Sequence, residues 1–125
     1  MRARLSALLV LAMAAAAVSS PAAADMHLPL TLVSLTSPVA RGHDARITVR
    51  TAPHTQCMLL VYYKSASNSV NLAVPKRSDK EGQVSWTWRV TPEITPGTWP
   101  ITVHCTDESH GNVIQTRLDL RFVVR

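Results

Sequence analysis

The sequence lacks the short motifs that mark common catalytic and nucleotide-binding sites. It has no G-x-S-x-G turn, no H-E-x-x-H pair and no glycine-rich phosphate loop, and glycine occurs only four times in 125 residues. The adjacent carboxylates Asp107 and Glu108 would point apart in an extended chain, so they do not form the facing pair that acid–base catalysis needs. These absences argue against an enzyme.

Helical spacing is also missing after the first 24 residues. Apolar residues recur there at every second position, which predicts β-strands. Proline, glycine and asparagine interrupt the alternation and predict the turns between the strands. The predicted strands are Leu30–Leu35, Ala45–Thr51, Cys57–Tyr63, Ser69–Val74, Val84–Val90, Trp99–Cys105 and Val113–Val124.

Seven short strands without an intervening helix predict an all-β fold. An immunoglobulin-like, antiparallel two-sheet sandwich fits this count best, and a small barrel is the alternative. The run Cys57–Tyr63 is apolar at nearly every position, which is typical of a central strand covered on both faces.

The first 24 residues have the composition of a secretory signal peptide. Arg2 and Arg4 precede an apolar, alanine-rich stretch, and Ala22 to Ala24 provide an A-x-A cleavage site. The stretch is short and its side chains are small for a membrane span, so we expect no membrane insertion after cleavage. We expect cleavage after Ala24, which leaves one domain of residues 25–125 in the periplasm or outside the cell.

The chain has two cysteines, Cys57 and Cys105. In an oxidising compartment such a pair predicts a disulfide; two free buried thiols are the alternative. The cysteines belong to the third and sixth predicted strands, which are antiparallel neighbours in a sandwich of this type. We therefore expect the bridge to join adjacent strands near one rim.

Three tryptophans, Trp86, Trp88 and Trp99, are the candidate core aromatics. Residues two apart in a strand face the same way, so Trp86 and Trp88 share a face with valines while Ser85, Thr87 and Arg89 take the other face. This pattern predicts that the tryptophans are buried between the sheets. The alternative is an exposed aromatic platform of the kind that binds sugars, which would place an arginine in the core.

Two segments, SDKEGQVSWTWRV at 78–90 and TPGTWPITVHC at 95–105, resemble immunoglobulin-like modules of secreted bacterial proteins. In that group an Asp-x-x-Gly turn precedes V-S-W-T-W-x-V and, later, P-G-T-W-P-I-x-V-x-C. The stretch CMLLVYY at 57–63 is similar to the cysteine-led strand of the group. The resemblance implies an extracellular β-sandwich with this cysteine pair and without catalytic residues.

Histidines supply two candidate metal sites. His54, His104 and His110 fall at or beside predicted loops at one end of the sandwich, with Asp107 nearby, and such a set suits zinc or copper(II). Cleavage after Ala24 would also leave Asp25, Met26 and His27 as a new N-terminus, whose amine, amides and imidazole suit Cu(II).

The formal charge of +5 falls by two when Arg2 and Arg4 leave with the signal peptide. A mildly basic chain without exposed aromatics between its arginines does not predict a nucleic-acid partner. We therefore expect a secreted, non-enzymatic binding or accessory module of the bacterial envelope or exterior, without a cofactor. Its expected partner is a protein or another envelope or surface ligand; a small copper- or zinc-binding protein is the alternative function.

Overall fold

The computed structural model of the protein describes residues 28–65, 68–108 and 113–125. Seven strands make up most of these residues, and no helix occurs among them. The strands are β1 (Thr31–Leu35), β2 (Asp44–Arg50), β3 (Gln56–Ser65), β4 (Asn68–Arg77), β5 (Gln83–Arg89), β6 (Gly97–Asp107) and β7 (Ile114–Val124).

The strands form two antiparallel sheets, with the orders β1-β2-β5 and β4-β3-β6-β7. This arrangement confirms the predicted all-β, two-sheet sandwich, and the alternative of a closed barrel does not form. The chain passes from one sheet to the other after β2, β4 and β5, whereas β1 and β2, β3 and β4, and β6 and β7 pair directly as sequence neighbours.

The core lies between the two sheets and contains one side-chain row from most strands. The alternation of side chains along a strand makes this possible, because every second residue points to the same face. The rows of β2 and β5 pair directly: Ile47 lies opposite Trp86, and the small Ala45 lies opposite the large Trp88. All four side chains are buried.

The predicted disulfide is present and lies in this core. Cys57 and Cys105 are directly opposed residues of β3 and β6, with Cα atoms 4.0 Å apart and side chains about 1% exposed or less. Cys57 is near the start of β3 and Cys105 near the end of β6. The bridge therefore joins adjacent strands of one sheet near a rim, as the sequence predicted.

The turn before β5 explains part of the sequence motif at 78–90. The Asp79 carboxylate accepts hydrogen bonds from the backbone N–H groups of Glu81 and Gln83, each at 2.9 Å. Gly82 adopts a φ of 83°, a left-handed conformation that glycine takes without steric cost. The Asp-x-x-Gly spacing thus fixes the start of the strand that carries Trp86 and Trp88.

Hydrogen bonds cover parts of the open sheet edges. On the edges of β4 and β5, the Lys76 ammonium donates to the Ser85 carbonyl and the Trp86 indole donates to the Val74 carbonyl. The C-terminal part of β7 pairs with residues 39–41. β1 is short and contains a bulge, which also discourages strand addition.

The two faces of β3 differ from the sequence prediction. β3 is a central strand, as predicted, and its inner face is buried. Its outer face was expected to be covered as well, but no layer of the described residues packs over it. Tyr62 is 39% exposed, and Met58 and Leu60 are only partly buried. A two-layer sandwich has no third layer to cover an outer face.

Candidate functional site

The outer face of the four-stranded sheet is the candidate functional site. Strand alternation places Met58, Leu60 and Tyr62 of β3 on this face, because Cys57, Leu59, Val61 and Tyr63 face the core. The strand register then sets the neighbours of these three residues. On the β4 side they are Pro75, Ala73 and Asn71, and on β6 Met58 lies opposite His104 and Leu60 opposite Thr102.

The same register brings charged residues from β7 to one side of this face. His104 lies opposite Arg117, Thr102 opposite Asp119, and Pro100 opposite Arg121. The result is an apolar central stripe with a charged border on β7. We call the whole surface the outer face.

Three shallow hollows follow the outer face, and Tyr62 contributes to the walls of all of them. The largest, about 650 Å³, lies on the β6–β7 side and includes Pro100 and Arg121. The second, about 320 Å³, includes Lys64, Asn71 and Trp99. The third, about 260 Å³, includes Met58, Leu60 and His104. Tyr62 thus forms a wall that the three hollows share.

A hydrogen-bonded carboxylate orders part of the border. Thr102 Oγ1 donates to Asp119 Oδ1 at 2.8 Å, and Arg117 Nε donates to the two carboxylate oxygens at 2.9 and 3.1 Å. The Thr102 hydroxyl and then the Arg117 guanidinium lower the pKa of Asp119 from its usual value. Arg117 is therefore held by an intramolecular ion pair.

The predicted core aromatics occupy two kinds of position. Trp86 and Trp88 are 4% and 8% exposed, so the sugar-binding platform considered for this pair does not form there. The Trp88 indole donates to the Tyr63 hydroxyl, and burial raises the pKa of Tyr63 to about 12. Trp99 is only partly buried, and its indole donates to the Thr95 carbonyl at 2.9 Å.

The described histidines of the predicted metal-binding rim, His54 and His104, line different hollows. His54 lies with Asp107 and Glu108 around a rim hollow of about 620 Å³, whereas His104 is on the outer face, 3.4 Å from Gln115 Oε1. His110 lies outside the described residues. Within the described ranges, no three histidine, cysteine or carboxylate side chains are grouped to hold a metal ion.

The second candidate metal site, Asp25, Met26 and His27, also lies outside the described residues, as does the expected signal peptide. Copper binding at that position remains a prediction from the sequence. Because all its donors would lie within three residues, folding of the sandwich would not be needed to assemble it.

Tyr62 and its neighbours are the site residues that the sequence analysis missed. The signal was present in the run Cys57–Tyr63, which is apolar on both of its faces. A two-layer sandwich can cover only one face of such a strand. The combination therefore predicts that one apolar face of the strand borders solvent, without showing which face.

No protein-family model matches this chain, and no curated protein matches it either. Within the described ranges there is no helix long and apolar enough to cross a bilayer.

Proposed function

We propose that the protein is a secreted, non-enzymatic, immunoglobulin-like module that binds a polypeptide partner through the outer face. The observation that carries this proposal is the partly exposed apolar stripe of Met58, Leu60 and Tyr62 on a central strand. Contiguous exposed apolar surface rimmed by polar residues is typical of interaction sites.

The composition of the outer face favours a polypeptide over a small molecule. Its centre contains tyrosine and methionine, and its border contains arginine, residues that are enriched in protein interfaces. The two larger hollows are open to solvent, whereas small-molecule sites enclose most of the ligand. Binding hot spots are also enriched in tyrosine and cluster near the centre of an interface.

The partly covered sheet edges favour a face rather than an edge as the binding surface. Lys76 donates to the Ser85 carbonyl on the edge strand β5, and Trp86 donates to the Val74 carbonyl on the edge strand β4, so a partner strand that pairs at these carbonyls would have to displace the two side chains. No comparable side-chain cover lies over Tyr62 among the described residues.

Secretion is supported by two independent features. The N-terminal composition is that of a signal peptide, and a disulfide such as Cys57–Cys105 is rare in the reducing cytosol. The absence of common catalytic motifs supports a non-enzymatic role.

Site-specific photo-crosslinking tests the proposed function. A photoreactive phenylalanine analogue replaces Tyr62 in the exported protein, and a matched control replaces Thr87, which is exposed on the outer side of the other sheet. We expect a discrete protein adduct from position 62 and not from position 87.

The captured protein is then purified and its affinity is measured directly. Tyr62→Ala should weaken binding by about tenfold or more, as truncation of a central aromatic hot spot does, while the melting temperature changes little. Equal adducts from both positions, or a partner that binds Tyr62→Ala with unchanged affinity, would show that the outer face is not the binding surface.

A further inference from the structure

Basic side chains outnumber acidic side chains on the outer face. Along the four strands this face presents four basic side chains and one carboxylate, that of Asp119, and the basic residues are Lys64, Arg77, Arg117 and Arg121. The other outward positions of β4 are the uncharged Ser69, Asn71, Ala73 and Pro75. A partner that carries the opposite charge gains electrostatic complementarity at this surface.

The four basic residues are not equally available. Arg117 is held by Asp119, and Arg77 Nη1 donates to the His54 carbonyl at 3.1 Å. Lys64 and Arg121 make no side-chain hydrogen bond or ion pair with the described residues. Both are exposed.

The two available cations lie at the same end of the outer face. Lys64 borders the hollow that contains Tyr62, Trp99 and Pro100, and Arg121 borders the hollow on the other side of Tyr62 and Pro100. Beyond the opposite end, Asp107 and Glu108 line the rim hollow beside Arg77, and neither carboxylate occupies an outward position of the four strands. The face is therefore basic at the Pro100 end.

A second copy of the chain is less complementary in charge to the outer face than an acidic partner is. Face-to-face packing of two copies would bring two sets of four basic residues against each other with only one carboxylate from each face. Like charges across an interface cost free energy and slow association.

From these observations we infer that the partner is an acidic polypeptide, whose carboxylates contact Lys64 and Arg121 while its apolar side chains cover Tyr62. This inference rests on the proposed function, since it assigns the chemistry of the ligand to the same surface. Carboxylate contacts to a lysine and an arginine are charge-assisted hydrogen bonds, so binding should weaken as salt screens them.

A displayed library of random linear peptides is the probe. It is selected against the folded, disulfide-bonded protein, and the enriched peptides are synthesised for affinity measurements. We expect enrichment of Asp and Glu beside aromatic or aliphatic residues, and affinities that fall with increasing salt.

Charge-reversal variants on the two sheets test whether the electrostatic contribution to peptide binding comes from the outer face. Arg121→Glu and Lys64→Glu should each weaken the selected peptides by about tenfold or more, as loss of a close charge contact does. Arg46→Glu changes the net charge by the same amount on the outer side of the other sheet, and it should leave the affinity within about twofold because distant exposed charges are screened.

The outcomes separate this inference from the proposed function. Peptides that require Tyr62 but lack acidic residues and tolerate Arg121→Glu would overturn the acidic partner and leave the binding face intact. If the library yields no binders, or binders that tolerate Tyr62→Ala, both proposals fail. A dimer in sedimentation velocity that Tyr62→Ala dissociates would identify a second copy as the occupant, and would overturn the inference.

Discussion

The two faces of β3 carry similar residues but have different surroundings. Leu59 and Tyr63 on the inner face are 1% and 3% exposed, whereas Tyr62 on the outer face is 39% exposed and Leu60 is only partly buried. Leu59 and Tyr63 thus each have a residue of the same type beside them on the outer face. The comparison shows that apolar character in a strand can stabilise the core on one side and form a binding surface on the other.

The largest effect on the inner face is expected at the disulfide. A double variant, Cys57→Ala with Cys105→Ala, removes a cross-link between residues 48 positions apart. The chain-entropy model assigns such a loop about 4 kcal/mol of stability. Urea denaturation of the oxidised protein and the variant measures the difference; equal midpoints would show that the bridge contributes little.

The leucine pair tests the comparison most directly. Leu59→Ala should lower the free energy of unfolding by about 2–5 kcal/mol, because it leaves a cavity in a packed core. Leu60→Ala should cost under about 1 kcal/mol, because solvent can fill the space beside a partly exposed side chain. The two variants are compared by chemical denaturation. Equal losses would mean that the outer face of β3 is as tightly packed as the inner face.

Tyr63 on the inner face and Tyr62 on the outer face should differ in their effect on stability at alkaline pH. Burial raises the pKa of Tyr63 to about 12 from the ordinary 10.0, so the unfolded chain ionises first. Stability should fall as pH rises between these two values. Tyr63→Phe should remove this part of the pH dependence, and it should also cost about 1–3 kcal/mol at neutral pH because the buried Trp88 indole loses its acceptor.

Melting temperatures at several alkaline pH values measure this effect for Tyr63→Phe. Tyr62→Phe is the control. The control should keep the alkaline slope, since it leaves the Tyr63 hydroxyl and the Trp88 hydrogen bond in place. A Tyr63→Phe variant with the same alkaline slope as the unmodified protein would contradict the assignment.

The smallest expected effect is at Asp119 on the border of the outer face. The pKa of this carboxyl is lowered by Thr102 and Arg117, so its contribution is present above the ordinary aspartate pKa and is lost as pH falls through the lower folded value. Asp119→Asn should therefore be slightly less stable at neutral pH, and the difference should vanish in acid. A difference in melting temperature that persists in strong acid would point to packing instead.

Much of the fold could be predicted from the sequence because strand alternation is a local property. The positions of the strands, the shared face of Trp86 and Trp88 and the partners in the disulfide all follow from which residues lie two apart and where turns interrupt them. The seven observed strands agree with the predicted ranges to within a few residues. Strand ends moved where a neighbouring strand extends the pairing, as in β4, which continues to Arg77 along β3.

The candidate site could not be predicted in the same way. Alternation assigns Met58, Leu60 and Tyr62 to one face, but both faces of β3 are apolar, and the sequence offers no local signal for which face is covered. The position of the charged border was also hidden, since Arg121 is far from Tyr62 in sequence and reaches it only through the pairing of β7 with β6 and of β6 with β3.

The sequence by itself therefore determined the class of fold, the two rows of residues on each strand and the covalent link between Cys57 and Cys105. On β3, whose two rows are both apolar, only the tertiary structure decided which row lies in the core and which borders solvent. The physical reason is that burial depends on the stacking of two distant sheets, a non-local arrangement, while the direction of a side chain depends on the dihedral angles of its own strand.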